Sequence, residues 1–283
     1  MTSPPTLFDT GLLARRRARA GRIGGADFLH RAVAGEIAER LTEVKRSFTD
    51  PVLIGPQPEV WAEALAGAGV PPPRRLPDGD VLPLAEGAHD LVVHALALHW
   101  ANDPVGQLVQ ARRALRPDGL FLAALFGGET LGELRAALAE AEIEVSGGLS
   151  PRVAPMGEIR DLGGLLQRAG FALPVADSRR FDVSYATALD LMRDLRAMGE
   201  TNVLSDRLRR PTRREVLARA AAIYAARFPA DGGRIRASFD VIFLTGWAPA
   251  PDQPKPLRPG SARARLADAL GVPEQSAGER AGD

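Results

Sequence analysis

The sequence predicts a doubly wound α/β fold with a mostly parallel sheet. Its clearest sign is the apolar run AHDLVVHALALHW at residues 88–100, which is typical of a strand covered on both faces. An amphipathic helix over 104–115, a tight RPDG turn at 116–119 and a second buried strand over 120–126 follow it. Strand, helix and strand in this order form a right-handed parallel unit, and repetition of such units builds a doubly wound sheet.

An earlier unit begins with the buried strand 51–55 and continues into a helix that starts near Pro58. In nucleotide-binding folds the turn between such a strand and helix is rich in glycine, so that the backbone can approach the ligand. Here the turn contains Gly55 as its one glycine, followed by Pro56 and Pro58. The connector at 69–90 is too short for a full strand, helix and strand, which predicts a truncated second unit of the sheet.

The rest of the chain continues the α/β pattern. We predict an N-terminal helical segment at 1–50, an α/β domain at 51–248 with a helical lid insertion at about 185–230, and a Pro-rich tail at 249–283 that holds a short helix. The later elements are predicted as helices over 127–144, 157–171, 185–199 and 212–228, and as strands over 172–185 and 235–249.

Composition narrows the classes of function. The chain has 283 residues, 45% of them apolar, which suffices for one main domain with a full core. A net charge of +1 gives no global attraction to nucleic acid or to anionic lipid. The chain contains no cysteine, which excludes thiolate metal sites and disulfides and suits a reducing cytoplasm. No apolar run approaches the roughly 18 residues of a membrane span.

The basic stretch ARRRARAGR at 14–22 has two interpretations. It is either the solvated face of a helix or an arm that binds an anionic partner. The sequence leaves both open.

His99 and Trp100 are the first candidate site residues, because they end the apolar run at the edge where open α/β sheets bind ligands. A histidine at this edge can act as a general base. The alternative is that His99 caps the next loop through Asn102 or Asp103 while Trp100 packs beneath it. His94 is interpreted as a structural residue.

A second candidate is GGETLGELR at 127–135. Gly127 and Gly128 would let a substrate backbone approach, and Glu129 and Glu133 could hold an arginine guanidinium by bidentate hydrogen bonds. The alternative is a helix start at which acids are favoured by the helix dipole. The tripeptide Glu200, Thr201 and Asn202 closes a helix in the predicted lid and is a weaker candidate.

No metal site is predicted. An iron triad needs two histidines and a carboxylate at one point. His94 and His99 are five residues apart and would point to opposite faces of a regular strand, and His30 lies on a distant helix.

The sequence resembles the class I S-adenosylmethionine-dependent methyltransferase superfamily. The specific strings are LHWANDP and RPDGLFLAALFGGETLGELR, and the similarity covers most of residues 7–250. These strings resemble the branch that contains the mitochondrial assembly factor of respiratory complex I, a protein arginine hydroxylase, with its bacterial relatives. The malonyl carrier-protein methyltransferase is a more distant cousin.

The resemblance implies a cofactor site for S-adenosylmethionine. Gly55 matches its glycine-rich turn, Asp78 matches the residue that binds the adenine amine, and the backbone at His94 and Ala95 would pass near the cofactor. Two anchors of the family pattern are missing, namely the other glycines of the turn and the acid after the second strand. The resemblance therefore implies S-adenosylmethionine binding that is weak or lost.

The resemblance also implies a protein substrate, a subunit of NADH dehydrogenase, which is modified on an arginine or chaperoned. One alternative is an active methyltransferase on a small molecule or carrier protein, and another is a scaffold without chemistry. An open cleft rimmed by Asp78, His99 and Glu129 would favour an enzyme. A pocket collapsed around Pro56 and Trp61 would favour the scaffold.

Overall fold

The computed structural model describes residues 6–254, of which residues 6–249 lie in one compact unit. The elements of this part are the helices α1 (Thr10–Arg22), α2 (Phe28–Glu43), α3 (Pro58–Gly67), α4 (Pro104–Ala114), α5 (Gly132–Ser146), α6 (Ile159–Arg168), α7 (Ala188–Met198) and α8 (Arg214–Arg227), and the strands β1 (Pro51–Ile54), β2 (Arg74–Leu76), β3 (His89–Ala95), β4 (Leu115–Gly127), β5 (Ala172–Tyr185), β6 (Pro229–Ala230) and β7 (Arg234–Trp247).

The strands form one sheet in the order β2-β1-β3-β4-β7-β5, with β6 beside β7. Neighbouring strands from β2 to β4 are parallel, whereas β7 runs antiparallel to both β4 and β5. The strands β1 to β5 therefore point the same way, and β7 is inserted between two of them in the opposite direction. The predicted doubly wound, mostly parallel sheet is confirmed.

Successive side chains of the central strands point alternately into two separate apolar layers, one on each face of the sheet. Leu53 of β1 and Leu91 of β3 face the layer that contains α2, α3, α5, α7 and α8. Val52 and Val92 face the layer that contains α4 and α6. Since both faces are covered, the strands read as continuous apolar runs, which is why the sequence made them recognisable.

The connector at 69–90 differs from the prediction. A second strand is present, because Leu76 of β2 pairs with Ile54 in parallel register and its side chain is buried. The three-residue strand is too short to show a period in the sequence. No helix separates β2 from β3, so the predicted truncation holds for that helix but not for the strand.

The apolar run at 88–100 also folds differently from one continuous strand. β3 ends at Ala95, Leu96 has a φ of 43°, and Leu98–Trp100 form a single 3₁₀ turn. The RPDG segment lies within the first residues of β4, where the register with β3 shifts. His99 therefore does not share a strand with His94, and strand alternation does not fix how this pair is oriented.

The described residues contain no helix of the length and apolar character that a membrane crossing needs. Most of the predicted Pro-rich tail, with its short helix, lies outside the described residues.

Two buried histidines make the fold sensitive to acid. His94 Nε2 lies 2.9 Å from Gln107 Oε1, and His30 Nδ1 accepts a hydrogen bond of 3.1 Å from Trp61. Burial lowers the pKa of each imidazole from 6.5 to about 4. A pKa below the unfolded value means that the unfolded chain binds these protons first as the pH falls.

We expect the free energy of unfolding to fall between pH 6.5 and pH 4, by up to about 1.4 kcal/mol per pH unit for each histidine. Urea denaturation of the wild type and of His94→Gln across this range measures the effect. The variant should lose one histidine's share of the slope and should keep a constant offset above pH 7. Parallel profiles down to pH 4 would contradict this assignment.

Candidate functional site

A cavity of about 780 Å³, called here the first cavity, opens at the carboxyl ends of β1, β2 and β3. The order of the strands reverses between β2 and β3, on either side of β1, and α/β sheets bind their ligands at such a point. The lining includes Arg17, Gly55, Pro56, Gln57, Asp78 and Trp100. Trp61 is fully buried in the core and is not part of this lining, so the cavity has not collapsed around it.

Position 55 accepts only glycine because the end of β3 lies against it. Its φ is +135°, and a Cβ atom there would lie 2.3 Å from the carbonyl oxygen of Ala95. The glycine is therefore needed to bring the ends of β1 and β3 together, in addition to any approach of a ligand. Gln57 follows with a φ of 52°, and its side-chain amide donates to the Ala26 carbonyl at 3.2 Å.

Asp78 lies two residues after the end of β2 and forms an ion pair with Arg17 of α1. Both side chains are largely buried. Arg17 Nε and Nη2 are buried without a hydrogen-bond partner within the described residues. The first cavity is thus lined by the Asp78 carboxylate, which could accept a hydrogen bond from a ligand, and by the positively charged Arg17 beside it. Arg17 is not among the residues predicted from the sequence, because a helical arginine run gives no sign of which side chain turns inward.

His94 and Ala95 lie behind the first cavity and do not line it. The imidazole of His94 contacts Gln107, whose amide nitrogen donates to the Gly79 carbonyl at 2.9 Å. Since Gln107 lines the cavity, His94 supports the cavity wall indirectly, through its contact with Gln107. Its structural interpretation agrees with this placement.

His99 and Trp100 meet on one carboxylate, that of Glu200. The Trp100 indole N–H donates to Glu200 Oε2 at 2.6 Å, and His99 Nε2 lies 3.1 Å from the same oxygen. His99 Nδ1 accepts the backbone N–H of Phe126 at 3.4 Å, so Nε2 carries the ring proton and donates to Glu200. Both nitrogens of His99 are engaged, and neither contacts Asn102 or Asp103. The loop-capping alternative therefore named the wrong partners.

Glu200 is ionised at the wall of the site. Burial works to raise its pKa, but the hydrogen bond from His99, the charge of Arg17 at 3.8 Å and the hydrogen bond from Trp100 outweigh this and lower the pKa. One of its oxygens, Oε1, is buried without a hydrogen bond within the described part of the chain.

A second cavity of about 670 Å³ lies on the other side of Trp100, which lines both cavities. The sequence candidates Glu200, Thr201 and Asn202 line it together. Thr201 Oγ1 accepts a hydrogen bond of 2.7 Å from Arg16. The weaker sequence candidates are thus brought beside Trp100, whereas Glu129 is absent from the lining of either cavity.

The paired glycines serve packing. A Cβ on Gly127 would lie 2.1 Å from Ile242 Cδ1 and 2.9 Å from the Gly157 carbonyl oxygen. Gly128 has a φ of 52° and donates to that same carbonyl at 3.1 Å. The turn is therefore held against β7 and the segment before α6.

Glu129 and Glu133 do not converge on a common point. Glu129 is exposed, and its backbone N–H donates to Asp240 at 2.9 Å. Glu133 is buried, accepts from the Ser238 hydroxyl at 2.6 Å and lies 3.6 Å from Arg236. The guanidinium beside Glu133 thus belongs to the protein itself.

The part of the chain that the structure describes holds no group of three or more histidine, aspartate or glutamate side chains able to bind a metal ion. Each of the four histidines has a different partner, namely Trp61 for His30, the Asp50 carbonyl for His89, Gln107 for His94 and Glu200 for His99.

We expect Glu200→Gln to destabilise the fold by about 3 kcal/mol or more, because loss of one partner from a buried charge pair leaves the other uncompensated. Urea denaturation measures the change. Asp206→Asn removes an exposed acid from the same loop and should change stability by less than about 0.5 kcal/mol. Equal effects of the two substitutions would show that the Glu200 contacts do not stabilise the fold.

Comparison with known proteins identifies the family. A profile described as "Methyltransferase domain" matches residues 54–123. The chain is 33% identical to "Arginine-hydroxylase NDUFAF5, mitochondrial" of Danio rerio, over 93% of this chain and 89% of that protein. It is 34% identical to the Homo sapiens protein of the same name, over 92% of this chain and 83% of that one. A malonyl-[acyl-carrier protein] O-methyltransferase of Laribacter hongkongensis is 39% identical over 61% of this chain and 56% of its own length. The chain therefore belongs to the NDUFAF5 arginine-hydroxylase family and carries a methyltransferase domain.

Proposed function

We propose that the protein modifies an arginine of a protein substrate, a subunit of respiratory NADH dehydrogenase, and that it binds S-adenosylmethionine in the first cavity. The observation that carries the proposal is the identity of 33–34% with proteins named arginine-hydroxylase, which extends over more than nine-tenths of the chain.

The residues of the first cavity suit S-adenosylmethionine. Its hydroxyl or amino groups would donate to Asp78, and its carboxylate would be attracted by the positive charge of Arg17. When bound, the cofactor supplies an activated methyl group on its sulfonium sulfur. Because Pro56 and Pro58 offer no backbone N–H, the turn donates fewer hydrogen bonds than a glycine-rich one. We propose that binding is weaker for this reason.

The protein's own residues would fix the ligand and separate the two cavities. Arg17 and Asp78 orient the cofactor, while Trp100, held by Glu200, forms the wall between the first and the second cavity. His99 has no free nitrogen and positions this wall through Glu200. The described residues form no group of three or more side chains that fits an iron ion.

A second candidate is methyl transfer to a small molecule or a carrier protein. It is favoured by the 39% identity to a malonyl-[acyl-carrier protein] O-methyltransferase, which covers less of the chain. A scaffold without chemistry is disfavoured by the open first cavity of about 780 Å³, a volume in the range of small-molecule sites. The predicted rim is only partly present, because the cavity is lined by Asp78 but not by His99 or Glu129.

The bacterial origin and the cytoplasmic location stay predictions. The absence of cysteine suits a reducing compartment. The similar proteins from Danio rerio and Homo sapiens are named as mitochondrial.

We expect millimolar S-adenosylmethionine to raise the unfolding midpoint by about 5–10 °C if its concentration is near 100 times the Kd. Asp78→Asn should abolish at least half of this shift, because it removes the acceptor and releases Arg17. Glu86→Gln, an exposed acid in the same connector, should leave the shift unchanged. An equal rise of the unfolding midpoint in both variants would show that Asp78 does not contact the cofactor. No rise in the wild type would show that the protein does not bind S-adenosylmethionine.

Modification of the substrate is tested by mass spectrometry. NADH dehydrogenase subunits isolated from wild-type cells and from cells lacking the protein are digested and compared. We expect one arginine peptide to be lighter in the deletion strain. A difference of one oxygen indicates hydroxylation, and a difference of one methyl group indicates methyl transfer. Identical arginine peptides together with failed assembly would instead support a chaperone.

A further inference from the structure

The second cavity has an apolar floor and a charged rim. Its floor is built from side chains of β4, α5, α7, α8 and β7, which include Phe126, Leu134, Leu195, Leu217 and Phe239. The rim is formed by Arg16 of α1 and by arginines from α7, from the segment before α6 and from the loop before α8. A ligand in this cavity would thus contact apolar side chains at the floor and guanidinium groups at the rim.

The rim contains far more positive than negative charge. The six arginines in the described lining are Arg16, Arg152, Arg196, Arg207, Arg209 and Arg210. Arg152 pairs with Glu142 at 2.6 Å, and Arg207 pairs with Asp9 at 3.1 Å. The other four form no ion pair within the described residues. Glu200 is the one acid in the described lining, and it already binds Trp100, His99 and Arg17.

Arg16 is a half-buried charge of this rim that forms no ion pair with another described residue. Its Nη1 donates to the Thr201 hydroxyl and to the Asn202 carbonyl, which are both neutral acceptors. Its Nε and Nη2 donate to no atom of the described chain. Burial lowers the pKa of this guanidinium, repulsion from Arg207 and Arg196 lowers it further, and the charge of Asp9 offsets part of this effect. Such a half-buried arginine among like charges is stabilised by an anion.

We propose that the second cavity binds a small amphipathic carboxylate, with its carboxylate on Arg16 and Arg196 and its aliphatic body on the apolar floor. Carboxylates match the planar, bidentate geometry of guanidinium groups, and apolar walls of this kind take an aliphatic chain. This inference goes beyond the proposed function, because it needs neither the cofactor nor the protein substrate.

Three eight-carbon probes with different head groups test the inference by isothermal titration calorimetry of the full chain without S-adenosylmethionine. Octanoate should bind once per chain, octan-1-ol at least tenfold more weakly, and octylammonium not measurably. Octanoate affinity should also fall as salt is added, because the contact is between charges. Equal binding of octanoate and octan-1-ol would overturn the proposal.

Substitutions locate the site. Arg16→Gln should weaken octanoate binding at least tenfold, and Arg196→Gln, at an exposed position that should not affect folding, should weaken it several-fold. Arg193→Gln is the matched control, because Arg193 lies on the same helix, pairs with Asp190 and does not line the cavity. If Arg193→Gln weakens binding as much as Arg196→Gln does, the ligand binds elsewhere and the inference is wrong.

Discussion

The carboxylate of Glu200 joins three parts of the chain that are far apart in sequence. It accepts from Trp100 and His99 in the turn after β3, and it lies 3.8 Å from Arg17 of the N-terminal helix α1. Each of these groups is buried, so each would be costly without its partner. The wall between the two cavities exists because these requirements are met at one point. Removal of any member would leave a polar group in an apolar interior.

The helix α1 directs two neighbouring arginines to the two sides of this wall. Arg16 and Arg17 are adjacent, so they diverge by roughly 100° around the helix axis. Because α1 lies over the boundary between the cavities, Arg16 reaches the second and Arg17 the first. Arg15, Arg19 and Arg22 remain exposed. The basic stretch is therefore a solvated face in part, while two of its charges are directed into the interior.

In the turn after β1, the backbone shape and the polar groups beside it have separate origins. Gly55 is required by the approach of Ala95 whether or not a ligand is present. The prolines remove backbone donors from the turn. In their place, Arg17 and Asp78 bring a donor and an acceptor to the cavity from outside the turn. The polar groups of the site thus come mainly from side chains, which single substitutions can alter independently.

The sequence by itself determined the α/β class, the long buried strands and most helices, because a strand covered on both faces gives a continuous apolar run and an amphipathic helix gives a periodic one. It also suggested Glu200, Thr201 and Asn202 as weaker candidates, and these residues line the second cavity together. It could not reveal the three-residue β2, whose length is below any period, or the end of β3 at Ala95, which a left-handed Leu96 decides. Tertiary structure alone decided that His99 and Trp100 share Glu200, that Glu133 is satisfied by Ser238, and that Arg16 and Arg17 face different cavities. These are contacts between residues up to about 185 positions apart, and no local pattern encodes such a distance.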